Sequence, residues 1–124
     1  GKKVLVVEDN EINQEISVDI LSTVGITADI AENGKIALEM LQEKGAGYYS
    51  LVFMDIQMPV MGGYEAAKRI RRFDDPAIAG IPIVAMTANA YEEDKKMAFS
   101  AGMNGHIGKP IEIPKLIEIL QNMI

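Results

Sequence analysis

The chain predicts an α/β fold: a doubly wound parallel sheet of five strands in the order 2-1-3-4-5. Three observations lead there. Short β-rich runs alternate with longer stretches of helical spacing, and this happens five times, the pattern of a parallel sheet joined by crossover helices. Two of the runs, Leu51-Val52-Phe53-Met54 and Ile83-Val84-Ala85-Met86, are apolar throughout, as strands covered on both faces must be. A third run, residues 26–31, alternates apolar and polar and so belongs at an edge. Right-handed crossovers in a sheet of this size then favour the stated order, with strands one, three and four in the centre.

Each element has its own signal. Residues 4–7 form the first strand, and Ile12, Ile16, Ile20, Leu21 and Val24 then fall at helical spacing, ending at Gly25 as a helix C-cap does. After the edge strand, Ile36, Ala37, Met40 and Leu41 stripe a second helix that closes in Gly45-Ala46-Gly47. The third strand ends at Asp55, and the helix after it spans about residues 64–73, with Ala66, Ala67 and Ile70 inward. A loop through Asp74-Asp75-Pro76 and residues 80–82 leads to the fourth strand at residues 83–86. A helix over residues 91–101 follows, stopped by Gly102. The fifth strand is brief, Gly105–Gly108, and the last helix carries Ile113, Leu116, Ile117 and Leu120. No repeat, low-complexity tract or linker interrupts the chain, so residues 1–124 read as one domain.

Composition excludes several functions. A chain of 124 residues that is 48% apolar can build a real core. Its net charge of −6 argues against nucleic-acid binding, and the one basic run, Lys68-Arg69-Ile70-Arg71-Arg72, reads as the solvated face of a helix. With no cysteine there is neither a disulfide framework nor a thiolate zinc site, which fits a cytoplasmic setting. The apolar stretches fall far short of the roughly 20 residues that cross a bilayer. Gly1-Lys2-Lys3-Val4 does not open a signal-like segment, so no membrane insertion is expected.

In the 2-1-3-4-5 order the chain reverses direction between strands one and three, and a crevice opens at their carboxyl ends. Glu8 and Asp9 follow strand one, Asp55 ends strand three, Thr87 follows strand four, and Lys109 follows strand five. Asp55 is the most informative of these. It is delivered to the lip of a buried strand and is followed by Ile56-Gln57-Met58-Pro59-Val60-Met61-Gly62-Gly63, where Pro and paired Gly force a loop. Taken alone it is compatible with a turn residue, a metal ligand or a nucleophile. Three crowded carboxylates repel one another unless something positive neutralises them. Oxygen ligands without His or Cys suit a hard divalent cation, magnesium, or manganese in its place. Together with the Lys109 ammonium and the Thr87 hydroxyl, the set suits a transferring phosphoryl group, with Asp55 as the nucleophile that forms an acyl phosphate.

Glu8-Asp9, Met54-Asp55-Ile56-Gln57-Met58-Pro59, Thr87-Ala88 and Lys109-Pro110, in this order and spacing, resemble the receiver domain of two-component response regulators over essentially the whole chain. The wording Val7-Glu8-Asp9-Asn10-Glu11-Ile12-Asn13 and Met86-Thr87-Ala88-Asn89-Ala90 is most similar to receivers of hybrid sensor histidine kinases. The resemblance implies that Asp55 accepts a phosphoryl group from a phosphohistidine, on a histidine kinase domain or a histidine phosphotransfer domain. It implies that Asp9 binds magnesium directly, with Glu8 nearby or through water and the Gln57 backbone carbonyl completing the protein's share. Thr87 and Lys109 would hold phosphoryl oxygens, with a cis Lys109-Pro110 bond. Phosphorylation and dephosphorylation of Asp55 would be self-catalysed. Gln57 and Asn89 would tune how fast water removes the phosphate. Thr87 would then move toward the phosphate and the residue at 106 swing inward behind it, reshaping the surface around strand five and the helix that follows strand four, with a homodimer as one consequence.

The pattern departs from the family's commonest form at two places. The switch position holds His106 instead of Tyr or Phe, which makes pH-sensitive switching conceivable. Glu8 replaces the Asp often found first in the acidic pair, keeping the charge and lengthening the reach. A free-standing regulator fragment and a non-phosphorylated receiver-like interaction module are the alternatives within the family. From other classes, a haloacid-dehalogenase-type phosphatase wants a second Asp where Gln57 stands, and a flavodoxin-like cofactor binder, which shares the topology, wants a phosphate loop where Glu8 and Asp9 stand. The last helix closes the chain, and no DNA-binding or enzymatic output is expected in it.

Overall fold

A computed structural model describes residues 2–45, 47–56, 58, 60–87, 92–108 and 112–123, those at 92–95 by their backbone alone. Five strands, β1 (Lys3–Val7), β2 (Thr27–Ala31), β3 (Val52–Asp55), β4 (Ile83–Thr87) and β5 (Gly105–Gly108), form one parallel sheet in the order β2-β1-β3-β4-β5. The helices are α1 (Glu11–Thr23), α2 (Gly34–Lys44), α3 (Gly63–Ile70), α4 (Pro76–Ala79), α5 (Glu92–Ser100) and α6 (Ile113–Met123). The fold class and strand order expected from the sequence are those observed.

Because successive strand residues point to opposite faces, the apolar strands feed two cores. Leu5, Val7, Val52, Met54, Ile83 and Ala85 pack with Ala37, Leu41, Ala66, Ala67, Ile70 and Ala98 on the face that carries α2, α3 and α5. Val4, Val6, Phe53, Val84, Met86 and Ile107 pack with Leu21 and Leu116 on the face of α1 and α6. Phe53, Leu5, Leu21, Met54 and Leu116 are all but sealed from solvent, each contributing roughly 1.5–3 kcal/mol of transfer free energy. The edge strand β2 is only partly covered, as its alternation requires.

Local signals place the helix ends. Asn10 caps α1 by accepting from the Asn13 N–H, and Gly25 takes φ +81 just beyond the helix, a left-handed turn that glycine makes cheaply. Gly63 starts α3 directly against the end of β3, where a Cβ would lie 2.3 Å from the Asp55 carbonyl oxygen. No other residue fits there without displacing the strand end that carries Asp55.

Three details differ from the sequence reading. The stretch read as loop contains α4, one helical turn with Asp75 accepting from the Ala77 N–H at 2.9 Å and Pro76 in the first helical turn. Four residues are too few for periodicity to reveal. Helix α3 ends at Ile70, earlier than expected, because Arg71 leaves the helix and is not a solvated-face residue. Its guanidinium donates to the carbonyls of Gly102 (2.8 Å), Ala79 (2.7 Å) and Ile81 (2.7 Å) and to Asn104 Oδ1 (2.8 Å), and burial lowers its pKa. Finally, the apolar stripes overhang the cores: Ser17 and Leu21 are the buried residues of α1 and Leu116 that of α6, while Ile12, Ile16, Ile113 and Ile117 stay exposed. Among the described residues, no helix is long and apolar enough to cross a membrane.

Candidate phosphoacceptor site

The sheet register builds the site. Val7 pairs with Met54, so Glu8 and Asp9 leave β1 beside Asp55, and Asp55 is level with Met86, one residue before Thr87. Thr87 in turn pairs with Gly108, the residue before Lys109. The chain runs from β1 to β2 on one side and on to β3 on the other, so the loops after β1 and β3 part and leave the crevice open.

One carboxylate oxygen from each of Glu8, Asp9 and Asp55 lies within 4.8 Å of the others. Glu8 and Asp55 are buried at 1% and 6% exposure, Thr87 at 8%, and Asp9 faces solvent. Carboxylates this close repel one another when both are ionised. Hydrogen bonds offset part of this at Glu8: its Oε1 accepts from the Asn10 N–H at 3.2 Å and from Asn13 Nδ2 at 3.4 Å. The Gln14 amide holds the Glu8 carbonyl at 2.7 Å, tying the acidic pair to the first turn of α1. Such an oxygen-only set fits a hard divalent cation, which would be held by Asp9 and Asp55 with Glu8 beside them.

The sequence-expected residues Glu8, Asp9, Asp55 and Thr87 are thus brought together. Gln57, Asn89, Lys109 and the Lys109-Pro110 bond lie outside the described residues. His106 sits on β5, partly buried, paired in register with Ala85. Two features escaped the sequence reading. Val60, five residues after Asp55, takes φ +67 and is 78% exposed. Ile12 and Ile16, exposed on α1 just beyond the acidic pair, were read only as part of a helix stripe.

A doubly wound α/β domain with an acidic cluster at its switch point is the class that fold and site define together. The chain belongs to the response regulator receiver domain family, whose model matches residues 4–121, and is therefore a receiver of two-component phosphorelay signalling. It is 39% identical to hybrid signal transduction histidine kinase K of Dictyostelium discoideum over 98% of this chain and 10% of that protein. This chain spans about a tenth of that relative's length. Among solved structures, the receiver domain of sensor histidine kinase PA1611 from Pseudomonas aeruginosa, with a magnesium ion coordinated in its active site cleft, matches with a TM-score of 0.87 and 33% identity, covering 99% of this chain and 97% of that one. The receiver domain of Ssk1, crystallised with the Saccharomyces cerevisiae histidine phosphotransfer protein Ypd1, matches with a TM-score of 0.84 and 35% identity, covering 98% and 88%.

Proposed function

We propose that residues 1–124 form one phosphoacceptor unit in which Asp55 takes a phosphoryl group from a phosphohistidine, with magnesium, or manganese in its place, as cofactor. The observation that carries this is the convergence of Glu8, Asp9 and Asp55 within 4.8 Å at the switch point of the sheet. An Asp55 carboxylate oxygen attacks phosphorus as the histidine N–P bond breaks, and the imidazole nitrogen keeps the bonding pair. When bound, the metal ion supplies positive charge to the phosphoryl oxygens. The chain's residues do the rest. Asp9, Asp55, the Gln57 carbonyl and nearby Glu8 hold the ion, while Thr87 and Lys109 hold phosphoryl oxygens. Asp55 is buried at the strand end, which fixes where its carboxylate meets the incoming phosphorus.

Partners of this chemistry are a histidine kinase domain, in the same polypeptide or another, and a histidine phosphotransfer domain, in a cytoplasmic setting. The PA1611 and Ssk1 receivers, with their magnesium and phosphotransfer protein, support the cofactor and the second partner by similarity. Phosphorylation draws Thr87 toward the new phosphate and shifts His106 on the neighbouring strand, altering the surface of β5 and α5, with dimerisation as one outcome. Incubation with magnesium and acetyl phosphate followed by intact-mass measurement tests the assignment. One added phosphoryl group is expected in the wild type and none in Asp55→Asn; a group that survives the substitution sinks Asp55 as the acceptor.

A further inference from the structure

The loop from Asp55 to α3 is pinned on both sides of Val60. Its ends are joined by the Gly63 N–H donating to the Ile56 carbonyl at 3.0 Å, and the Gly34 N–H at the start of α2 holds the Met61 carbonyl at 3.2 Å. Between these pins Val60 takes φ +67, a left-handed conformation that Gly or Asn adopts readily and a β-branched residue resists. Burial does not repay the strain, since Val60 is 78% exposed. Neither the backbone nor the core therefore asks for valine here. Strain held by a well-braced loop beside a reactive group points to a use at that group.

The use follows from the depth of Asp55. As a residue Asp55 is 6% exposed, and a phosphorus atom must come within about 3–3.5 Å of its carboxylate to react. A small phosphoryl donor can enter the crevice alone. A phosphohistidine arrives on a protein surface, which must settle on the crevice rim, where the loop holds Val60 outward.

We propose that Val60 is a docking and specificity residue: its braced, strained position presents an apolar side chain to the protein surface around the donor histidine. This rests on the phosphorelay reading of Asp55. The partner's histidine is accordingly flanked by apolar residues that cover Val60, and a polar residue at 60 is left desolvated without a partner.

The test compares two donors on the wild type and on Val60→Asn, Val60→Gly and Val60→Ile. Acetyl phosphate with magnesium needs no rim, whereas yeast Ypd1 phosphorylated on its histidine does. Val60→Asn and Val60→Gly are expected to raise the melting midpoint by about 1–3 °C through relief of strain. They should keep acetyl phosphate labelling within about twofold, and raise the KM for phospho-Ypd1 about tenfold with the maximal transfer rate little changed. Val60→Ile should transfer as the wild type does. Equal KM in all four proteins overturns the proposal and leaves Asp55 as acceptor. An equal loss with both donors also overturns it, because the loop then shapes the site and not the docking. Wild-type labelling by acetyl phosphate without transfer from phospho-Ypd1 counts against it too. Failure of the wild type with both donors removes the phosphorelay reading itself.

Discussion

The two ends of this one sheet treat charge in opposite ways. At the amino end, charged groups are matched inside the chain: Arg71 meets three carbonyls and Asn104, and Asp29 accepts from the Tyr49 hydroxyl at 2.7 Å with Lys3 at 3.7 Å. At the carboxyl end, Glu8, Asp9 and Asp55 gather like charges within 4.8 Å, two of them buried. The first arrangement lowers the energy of the folded chain alone. The second crowds three carboxylates, a set whose like charges a cation can neutralise. Parallel strands put all their carboxyl ends on one side, so a domain of this kind can brace one end and leave the other for chemistry.

Substitutions at the amino end should therefore change stability and spare metal binding, and those at the carboxyl end should do the reverse. The largest effect is expected from Arg71→Met, which strands the carbonyls of Gly102, Ala79 and Ile81 and should cost about 3 kcal/mol in urea unfolding. Magnesium affinity, read by calorimetry, should stay within about twofold; a large fall would break the division between the ends. Next comes Asp9→Asn, for which the same titration should read about a hundredfold weaker magnesium binding, equivalent to about 2.7 kcal/mol. Its metal-free urea midpoint should be no lower than the wild type's, because one repulsive charge has gone. Loss of stability there instead would show that the acidic cluster braces the fold.

Tyr49→Phe should cost about 1 kcal/mol at neutral pH through loss of the bond to Asp29. Burial, then the hydrogen bond to Asp29 and that carboxylate's charge, hold the Tyr49 phenol well above the usual tyrosine range. A raised pKa of this kind adds stability that is complete below pH ~10 and disappears as the pH climbs past it. The difference between the wild type and the Tyr49→Phe variant should accordingly shrink above pH ~10 in urea melts; a gap that widens would mean that Tyr49 is stabilised as the anion. The smallest effect belongs to Glu65→Gln. The Arg69 hydrogen bond at 2.9 Å lowers the Glu65 pKa, yet both partners are about half exposed, so no shift in the midpoint should be resolved.

How much of this was legible beforehand differs between the same two ends. The acidic crevice could be read because strand ends are marked in sequence: apolar runs stop at Glu8, Asp55 and Thr87, and one topology brings those stops together. The Arg71 clamp could not. Its partners lie 8, 10, 31 and 33 residues away and are mostly backbone carbonyls, which carry no residue signature, so Arg71 looked like its neighbours Arg69 and Arg72. Val60 was invisible for a related reason, since a left-handed angle is contrary to valine's own preference and the hydrogen bonds from Gly63 and Gly34 in its loop join backbone groups that carry no residue signature.

Local preference and hydrophobic period were enough to specify the five strands and the five longer helices, and with the crossover rule the strand order and the placing of Glu8, Asp9, Asp55 and Thr87 at strand ends. The distance at which Glu8, Asp9 and Asp55 meet, the exposure of Ile12 and Val60, and the bracing of the amino end by Arg71 depend on how separate elements settle against one another. Packing sets those, since the same helix stripe can face the core or overhang it according to how the helix rotates on the sheet. Asp55 shows both sides: its place at the strand end was written in the sequence, and its crowding with two other carboxylates came from the register of β1 against β3.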